Sequence, residues 1–221
     1  RREGDEFVIN GNKTFITNGP FADTIVFICK LDEGNEPAER KVVTFVLERG
    51  LEGFEQSKPM RKMGLHSSPT GELFLTDVRV GMDRLLGGPA SLENARASRE
   101  GAKATFTMER AGVAAMALGI IEQCLQKSVQ YARDRKSFGK PIGEYQLIQL
   151  KLAEMEVARL NVQNLVFRYI EMAQAGRDLS LAEASAMKLY CARTAVAVAM
   201  EAIQLFGGNG YMAEFQVEQL A

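Results

Sequence analysis

Up to about residue 85 the chain runs in short segments that alternate apolar and polar positions: "EFVING", "NKTFITNG", "TIVFICK", "KVVTFVLE" and "GELFLTDVRV". Asn-Gly, Gly-Pro and Glu-rich connections separate them, and a period of two between turn residues predicts half-buried β-strands. Asn10-Gly11 reads as a hairpin turn, because both residues tolerate the positive φ of a tight connection. From Ala102 the period changes to 3.6. One helix is predicted to about Arg135, closed by "FGKPIG", and a second from about Glu144 to Ala175. A third begins at Ser180, where Ser-Leu-Ala-Glu has capping-box spacing, and runs to Phe206, with Gly207 as its stop. "GGPASLENARASREG", Gly87 to Gly101, reads as a linker. The fold class is therefore α+β: a small antiparallel, barrel-like β-domain over residues 1–88, then an up-and-down helical bundle domain over residues 89–221.

The 46% hydrophobic and 25% charged content is ordinary for a globular chain. Net charge is −1, from 27 basic and 28 acidic residues, so no global field recruits nucleic acid or an acidic membrane surface. A polyanionic ligand must be held by local charges. Cys29, Cys124 and Cys191 are widely separated and lack metal-ligand spacing. They read as buried thiols in a reducing compartment, and no metal site is expected. No apolar run is read as long enough to span a membrane. The chain opens "RREGDEFVINGNK", with neither an initiator Met nor a signal sequence, and is read as a piece of something longer.

Chemistry is expected at four places. Phe106, Val113, Met116, Ile120 and Cys124 form one stripe at helical spacing, and Glu109 falls inside that apolar row. It is either a buried acid paired with an Arg or a group with a chemical task. "RDRKSFGKPIGEYQ" gathers Arg133, Arg135, Lys136 and Lys140 at a helix C-terminus, where the helix dipole favours cations and where Arg135 with Ser137 could clamp a pyrophosphate. "LFGGNGY" places three glycines after a helix, as a C-cap and tight turn or as open backbone amides facing a ligand. "FITNG", Phe15 to Gly19, ends a strand. His66 is the only histidine, and with no nucleophile pattern around it, it reads as a surface loop residue.

Taken in order, "GDEFVINGNKTFITNG", "MGLHSSPTGELFLTDVRV", "ERAGVAAMALGI", "YARDRKSFGKPIGEYQ" and "EAIQLFGGNGYMAEFQVEQLA" resemble the acyl-CoA dehydrogenase family over nearly the whole chain. The resemblance implies a middle β-domain and a C-terminal helical domain that is incomplete here, in a protein that binds FAD and assembles as a homo-oligomer, a tetramer or a dimer. Phe15, Ile16 and Thr17 resemble the segment lying against the isoalloxazine ring. Arg135, Lys136 and Ser137, with Gln146, resemble the stretch that reaches the FAD diphosphate and adenosine across a subunit interface. Gln204, Leu205, Phe206, Gly207 and Gly208 resemble the loop completing that site from a neighbouring subunit. Thr107, Met108 and Arg110 match the acyl-CoA site. His66 stands where many relatives carry Arg.

In this family a base removes the α-proton of an acyl thioester while a hydride leaves the β-carbon for flavin N5, so the resemblance implies a trans-2-enoyl-CoA product and electron-transfer flavoprotein as acceptor. In many members the base is a Glu on a loop that would lie beyond Ala221. In other branches, the isovaleryl and long-chain ones included, it is a helical Glu before an Arg, which Glu109-Arg110 matches. A base held away from water has its proton affinity raised by burial. The competing expectations are an oxidase of the same fold, or a piece that by itself binds no flavin and is inactive. The location implied is the bacterial cytoplasm or the mitochondrial matrix.

Overall fold

The computed structural model describes residues 1–93 and 95–221, and of residues 95–98 the backbone alone. They fall into two units, Arg1–Lys103 and Ala104–Ala221. The first holds β1 (Arg2–Glu3), β2 (Glu6–Thr17), β3 (Thr24–Leu31), β4 (Lys41–Glu48), β5 (Phe54–Gln56) and β6 (Thr70–Gly81). One antiparallel sheet has the order β1-β2-β6-β5, and β3 pairs with β4 in a second. In β4 the alternation read from the sequence sends Val43, Phe45 and Leu47 into the core, where they meet Phe7, Leu73 and Val78. The Phe7 and Phe45 rings pack edge to face with centroids 5.0 Å apart.

The Asn10-Gly11 expectation is corrected. β2 is one continuous strand through both residues, and its register against β6 jumps from Ile9↔Val78 to Gly11↔Leu75. Asn10 thus faces both Thr76 and Asp77 across a β-bulge. The same Asn-Gly tolerance of unusual backbone that suits a hairpin also suits a bulge, and strand pairing over twelve residues decides between them. The short strands β1 and β5 had no alternation to reveal them.

α1 (Ala90–Glu93) and α2 (Ala95–Asp134) occupy much of the stretch read as a linker, which is a second correction. Ala, Arg and Glu are good helix formers, and they outweigh the glycines at either end. The second unit continues with β7 (Lys136–Ser137), β8 (Lys140–Pro141), α3 (Gln146–Gln174) and α4 (Leu181–Phe206). α4 opens as expected: the Glu183 amide donates to Ser180 Oγ at 3.2 Å, and the Ser180 amide donates to Glu183 Oε2 at 2.9 Å. Ile121 and Cys124 of α2, Met155 and Val162 of α3, and Cys191 and Ala199 of α4 share one core.

A third correction concerns α2. Its buried row is Ala111, Ala114, Ala117, Ile121 and Cys124, whereas Phe106, Val113 and Met116 are exposed by 45%, 39% and 59%. Hydropathy favours the larger side chains, but helices approach closely where side chains are small, so the alanines take the core. Two stretches, Arg99–Asp134 and Leu181–Tyr211, are also long and apolar enough by composition to cross a bilayer, contrary to the sequence reading. α4 sends Met187, Cys191, Val198 and Leu205 into the bundle core and leaves Leu189, Val196 and Met200 exposed.

Candidate active site

In the β-unit the expected flavin-facing segment closes β2. Lys13 pairs with Leu73 and Ile16 with Gly71, so Thr14 and Phe15 together oppose Glu72 in a second bulge. Phe15 takes φ 61, a left-handed conformation uncommon for an aromatic, and its ring is 75% exposed. Ile16 turns inward to the core, and Thr17 is exposed opposite Thr70. The Asn18 amide donates to the Pro69 carbonyl at 2.8 Å and the Gly19 amide to the Ile16 carbonyl at 3.1 Å, which fixes the strand end. The bulge thereby presents an aromatic ring and a hydroxyl on rigid backbone. His66 is exposed, with Nε2 3.0 Å from the Lys62 carbonyl oxygen, a loop residue as expected.

In the helical unit Glu109 lies on the exposed apolar face of α2, beside Phe106 and Val113 and next to Met108. The expectation that it is buried inside this chain is corrected: its row is apolar, and from Phe106 to Met116 that row faces outward, becoming buried in the core only at Cys124. Arg110 does not pair with it among the described residues. Its guanidinium donates to the Phe106 carbonyl at 3.1 Å and stands 6.0 Å from the Phe106 ring centroid. Thr107 is half-buried.

At the other end of α2 the chain makes a two-residue hairpin between β7 and β8. Phe138 (φ 51) and Gly139 (φ 84) both have the positive φ of a type I′ turn. The Ile142 amide donates to the Arg135 carbonyl at 2.8 Å, and the Tyr145 hydroxyl donates to the Ser137 carbonyl at 2.9 Å. Arg135, Lys136 and Gln146 are exposed around this hairpin, and Ser137 is half-buried. They form a local cluster of donors suited to phosphate oxygens.

The glycine turn lies against the same end of α2. Leu205 and Phe206 point into the core, so they have only backbone to offer a ligand, while Gln204, Gly207 and Gly208 are exposed. The three glycines have different reasons to be there. Gly207 has φ 61 and ψ −136, a conformation close to glycine's alone. A Cβ on Gly210 would stand 2.2 Å from the Ile203 carbonyl oxygen. At Gly208 φ is not positive and a Cβ would meet nothing within 4 Å. Nothing among the described residues requires its bare backbone, which fits a flat or anionic group approaching from outside.

Sequence reasoning passed over Tyr131 and Asn209. Asn209 Nδ2 donates to the Tyr131 hydroxyl at 3.0 Å, and that hydroxyl lies 3.3 Å from the Phe206 carbonyl oxygen to which it donates. Both residues sit inside quoted motifs, but neither charge nor hydropathy sets them apart. A rise of about 1.5 Å per residue puts Glu109 and Arg135 on the order of 40 Å apart along α2, so the two candidate sites are separate in one chain.

Sequence models of the acyl-CoA dehydrogenase middle domain and C-terminal domain match residues 1–78 and 100–221. The chain belongs to the acyl-CoA dehydrogenase family. Its relatives in this family include a 3-(aryl)acrylate reductase of Clostridium sporogenes, 35% identical over 100% of this chain and 56% of that protein. The solved butyryl-CoA dehydrogenase of Megasphaera elsdenii superposes with a TM-score of 0.86 at 34% identity, covering 99% of this chain and 55% of that one. A glutaryl-CoA dehydrogenase of Mycobacterium smegmatis, solved in complex with FADH2, gives 0.83 at 29% identity over 100% of this chain and 53% of that one. The chain thus spans about half the length of the acyl-CoA dehydrogenase relatives it matches. The two-part order of β-unit and helical unit is the acyl-CoA dehydrogenase order.

Proposed function

We propose that the protein containing this chain is an FAD-dependent acyl-CoA dehydrogenase that converts an acyl-CoA thioester to the trans-2-enoyl-CoA, with Glu109 as the base. The observation that carries this reading is the outward apolar face of α2, where the Glu109 carboxylate, with no ion-pair partner among the described residues, stands between Phe106 and Val113. An acyl chain laid along that face would exclude water and leave Glu109 as the nearest proton acceptor for its α-carbon. Arg110, held back by the Phe106 carbonyl, leaves the carboxylate free to take the proton. Bound FAD would supply the hydride acceptor for the β-carbon. Met108 and Thr107 flank Glu109 and would position the thioester.

Phe15 and Thr17 would border the flavin ring, and the Arg135–Gln146 hairpin with the Gly207–Gly208 turn would hold its diphosphate and adenosine. The two ends of α2 lie farther apart than a dinucleotide is long, which supports their serving different cofactor molecules in a homo-oligomer, a tetramer or a dimer. Electrons would pass to an electron-transfer flavoprotein, in a bacterial cytoplasm or a mitochondrial matrix.

The test uses the full-length flavoprotein under anaerobic conditions. Adding butyryl-CoA should bleach the oxidised flavin band and yield an enoyl-CoA, and electron-transfer flavoprotein should restore the band far faster than air. Fast reoxidation by air would replace this reading with an oxidase, and a band unmoved by any acyl-CoA would end it. The resemblance to a 3-(aryl)acrylate reductase favours a second direction of use, reduction of an unsaturated acid derivative, which the same protein would show by consuming arylacrylyl-CoA when its flavin is reduced first.

A further inference from the structure

The turn after α4 is rich in glycine. Gly207, Gly208 and Gly210 fall within four positions, and glycine loses more conformational freedom on being fixed than any other residue. Such a turn presents a reproducible set of amides only if something outside it holds it. α2 does so at two levels. About two turns before its end, Lys127 Nζ donates to the Phe215 carbonyl at 3.2 Å. In its last turn, Tyr131 stacks on Phe206 with centroids 4.0 Å apart and planes 16° from parallel. Phe215 closes the group, edge-on to Tyr131 at 6.2 Å and to Phe206 at 6.0 Å.

The hydroxyl of Tyr131 then ties the two sides of the turn together. It accepts from Asn209 Nδ2 at 3.0 Å and donates to the Phe206 carbonyl at 3.3 Å. Phe206 immediately precedes Gly207, and Asn209 immediately follows Gly208. The one phenol oxygen therefore brackets the two exposed glycines, and Gly208 is the position whose bare backbone nothing among the described residues requires.

We propose that Tyr131 is a positioning residue: its hydroxyl, through Phe206 and Asn209, holds the Gly207–Gly208 amides in the arrangement that receives the flavin dinucleotide. This rests on the placement of that turn at the flavin under the proposed function. Tyr131 touches no ligand itself. Its effect is preorganisation, so removing the hydroxyl weakens binding by the cost of ordering the turn in the act of binding. Because Asn209 acts through the same oxygen, the two residues form one link and not two independent ones.

The experiment is a titration of the full-length apoprotein with FAD, followed by protein fluorescence, alongside the apoprotein melting temperature. Tyr131→Phe keeps the ring stack and removes both hydrogen bonds. It should raise the Kd for FAD by about tenfold with little change in melting temperature, which a purely structural role would lower. Asn209→Ala should weaken FAD to a similar degree, and the double variant should be no worse than either single one. Gly208→Ala, which meets open space within the chain, should weaken FAD without destabilising the apoprotein.

Wild-type affinity in Tyr131→Phe combined with a weakened Gly208→Ala overturns the positioning role and leaves the flavin assignment of the turn standing. Wild-type affinity in both removes the turn from the flavin and overturns the two together. Additive effects of Tyr131→Phe and Asn209→Ala also overturn the proposal, because they would show two separate routes. So would weakening in Tyr131→Phe beside an unaffected Gly208→Ala.

Discussion

Asn10 and Asp77 exchange two hydrogen bonds across the long strand pair of the β-unit. Asn10 Nδ2 donates to Asp77 Oδ1 at 2.8 Å, and the Asp77 amide donates to Asn10 Oδ1 at 2.8 Å. The side chain of Asn10 replaces the backbone partner that the bulge removes, and it holds Asp77 at φ 49. Asn10→Ala in the full-length protein should therefore cost about 1–2 kcal/mol by urea denaturation, two modest hydrogen bonds less what relaxation of Asp77 returns. An unchanged midpoint would mean that water serves Asp77 equally well.

The three cysteines should be chemically quiet. Burial pushes the Cys29 thiol up to about 11, against the weaker opposing pull of Lys13, and the Cys124 thiol up to about 11; burial raises Cys191 as well. Near pH 8 Cys29 and Cys124 should alkylate on the order of 100-fold more slowly in the folded protein than after denaturation, and Cys191 more slowly as well, because the thiolate is the reactive form. Mass-spectrometric mapping of iodoacetamide labelling checks this residue by residue. Rapid native labelling at Cys124 would contradict the buried α2 row.

The capping box of α4 carries a pH dependence of known sign. The Ser180 backbone amide, then its hydroxyl, hold Glu183 below the usual carboxylate range, with Arg168 adding to the effect. A group depressed on folding contributes stability above its unfolded value, about pH 4.3, and loses it as pH falls through the lower native value. Wild type should therefore melt above Glu183→Gln at pH 6, and the gap should close toward pH 3. A gap that persists in acid would assign the effect to packing.

Arg135 distinguishes a ligand contact from a helix-end charge. In the full-length protein Arg135→Ala should lower the flavin-to-protein absorbance ratio while the melting temperature of the apoprotein barely moves, since a charge-assisted contact to phosphate is stronger than a neutral one. If Arg135 only complements the helix dipole, flavin content stays at the wild-type level and a small loss of stability remains.

Element types were legible where one local rule had no rival. The Ser180 box, the Gly207 stop and the alternation of β4 follow from neighbours in the chain. Asn10-Gly11 was not legible, because a bulge and a hairpin ask the same backbone tolerance of those residues and only the partner strand decides. The burial of α2 failed for a related reason: the helix has two apolar faces, and the one made of alanines lets α2 approach its neighbours more closely than the one carrying Phe106 and Met116. In the candidate site, charged and glycine-rich stretches stood out, whereas Tyr131 and Asn209 act through one hydrogen-bonded oxygen that no periodicity reveals.

Glu109 carries the account. Its side chain stands on an outward apolar face with no ion-pair partner among the described residues, an arrangement that structural pairing with Arg110 does not explain. The decisive measurement is stopped-flow reduction of the flavin by acyl-CoA in full-length Glu109→Gln. The amide is nearly isosteric, so fold and flavin content should be kept, while bleaching of the oxidised band should slow by about 100- to 10,000-fold, the usual loss for a positioned general base. Bleaching at the wild-type rate would contradict the assignment and transfer the role to a carboxylate elsewhere in the protein.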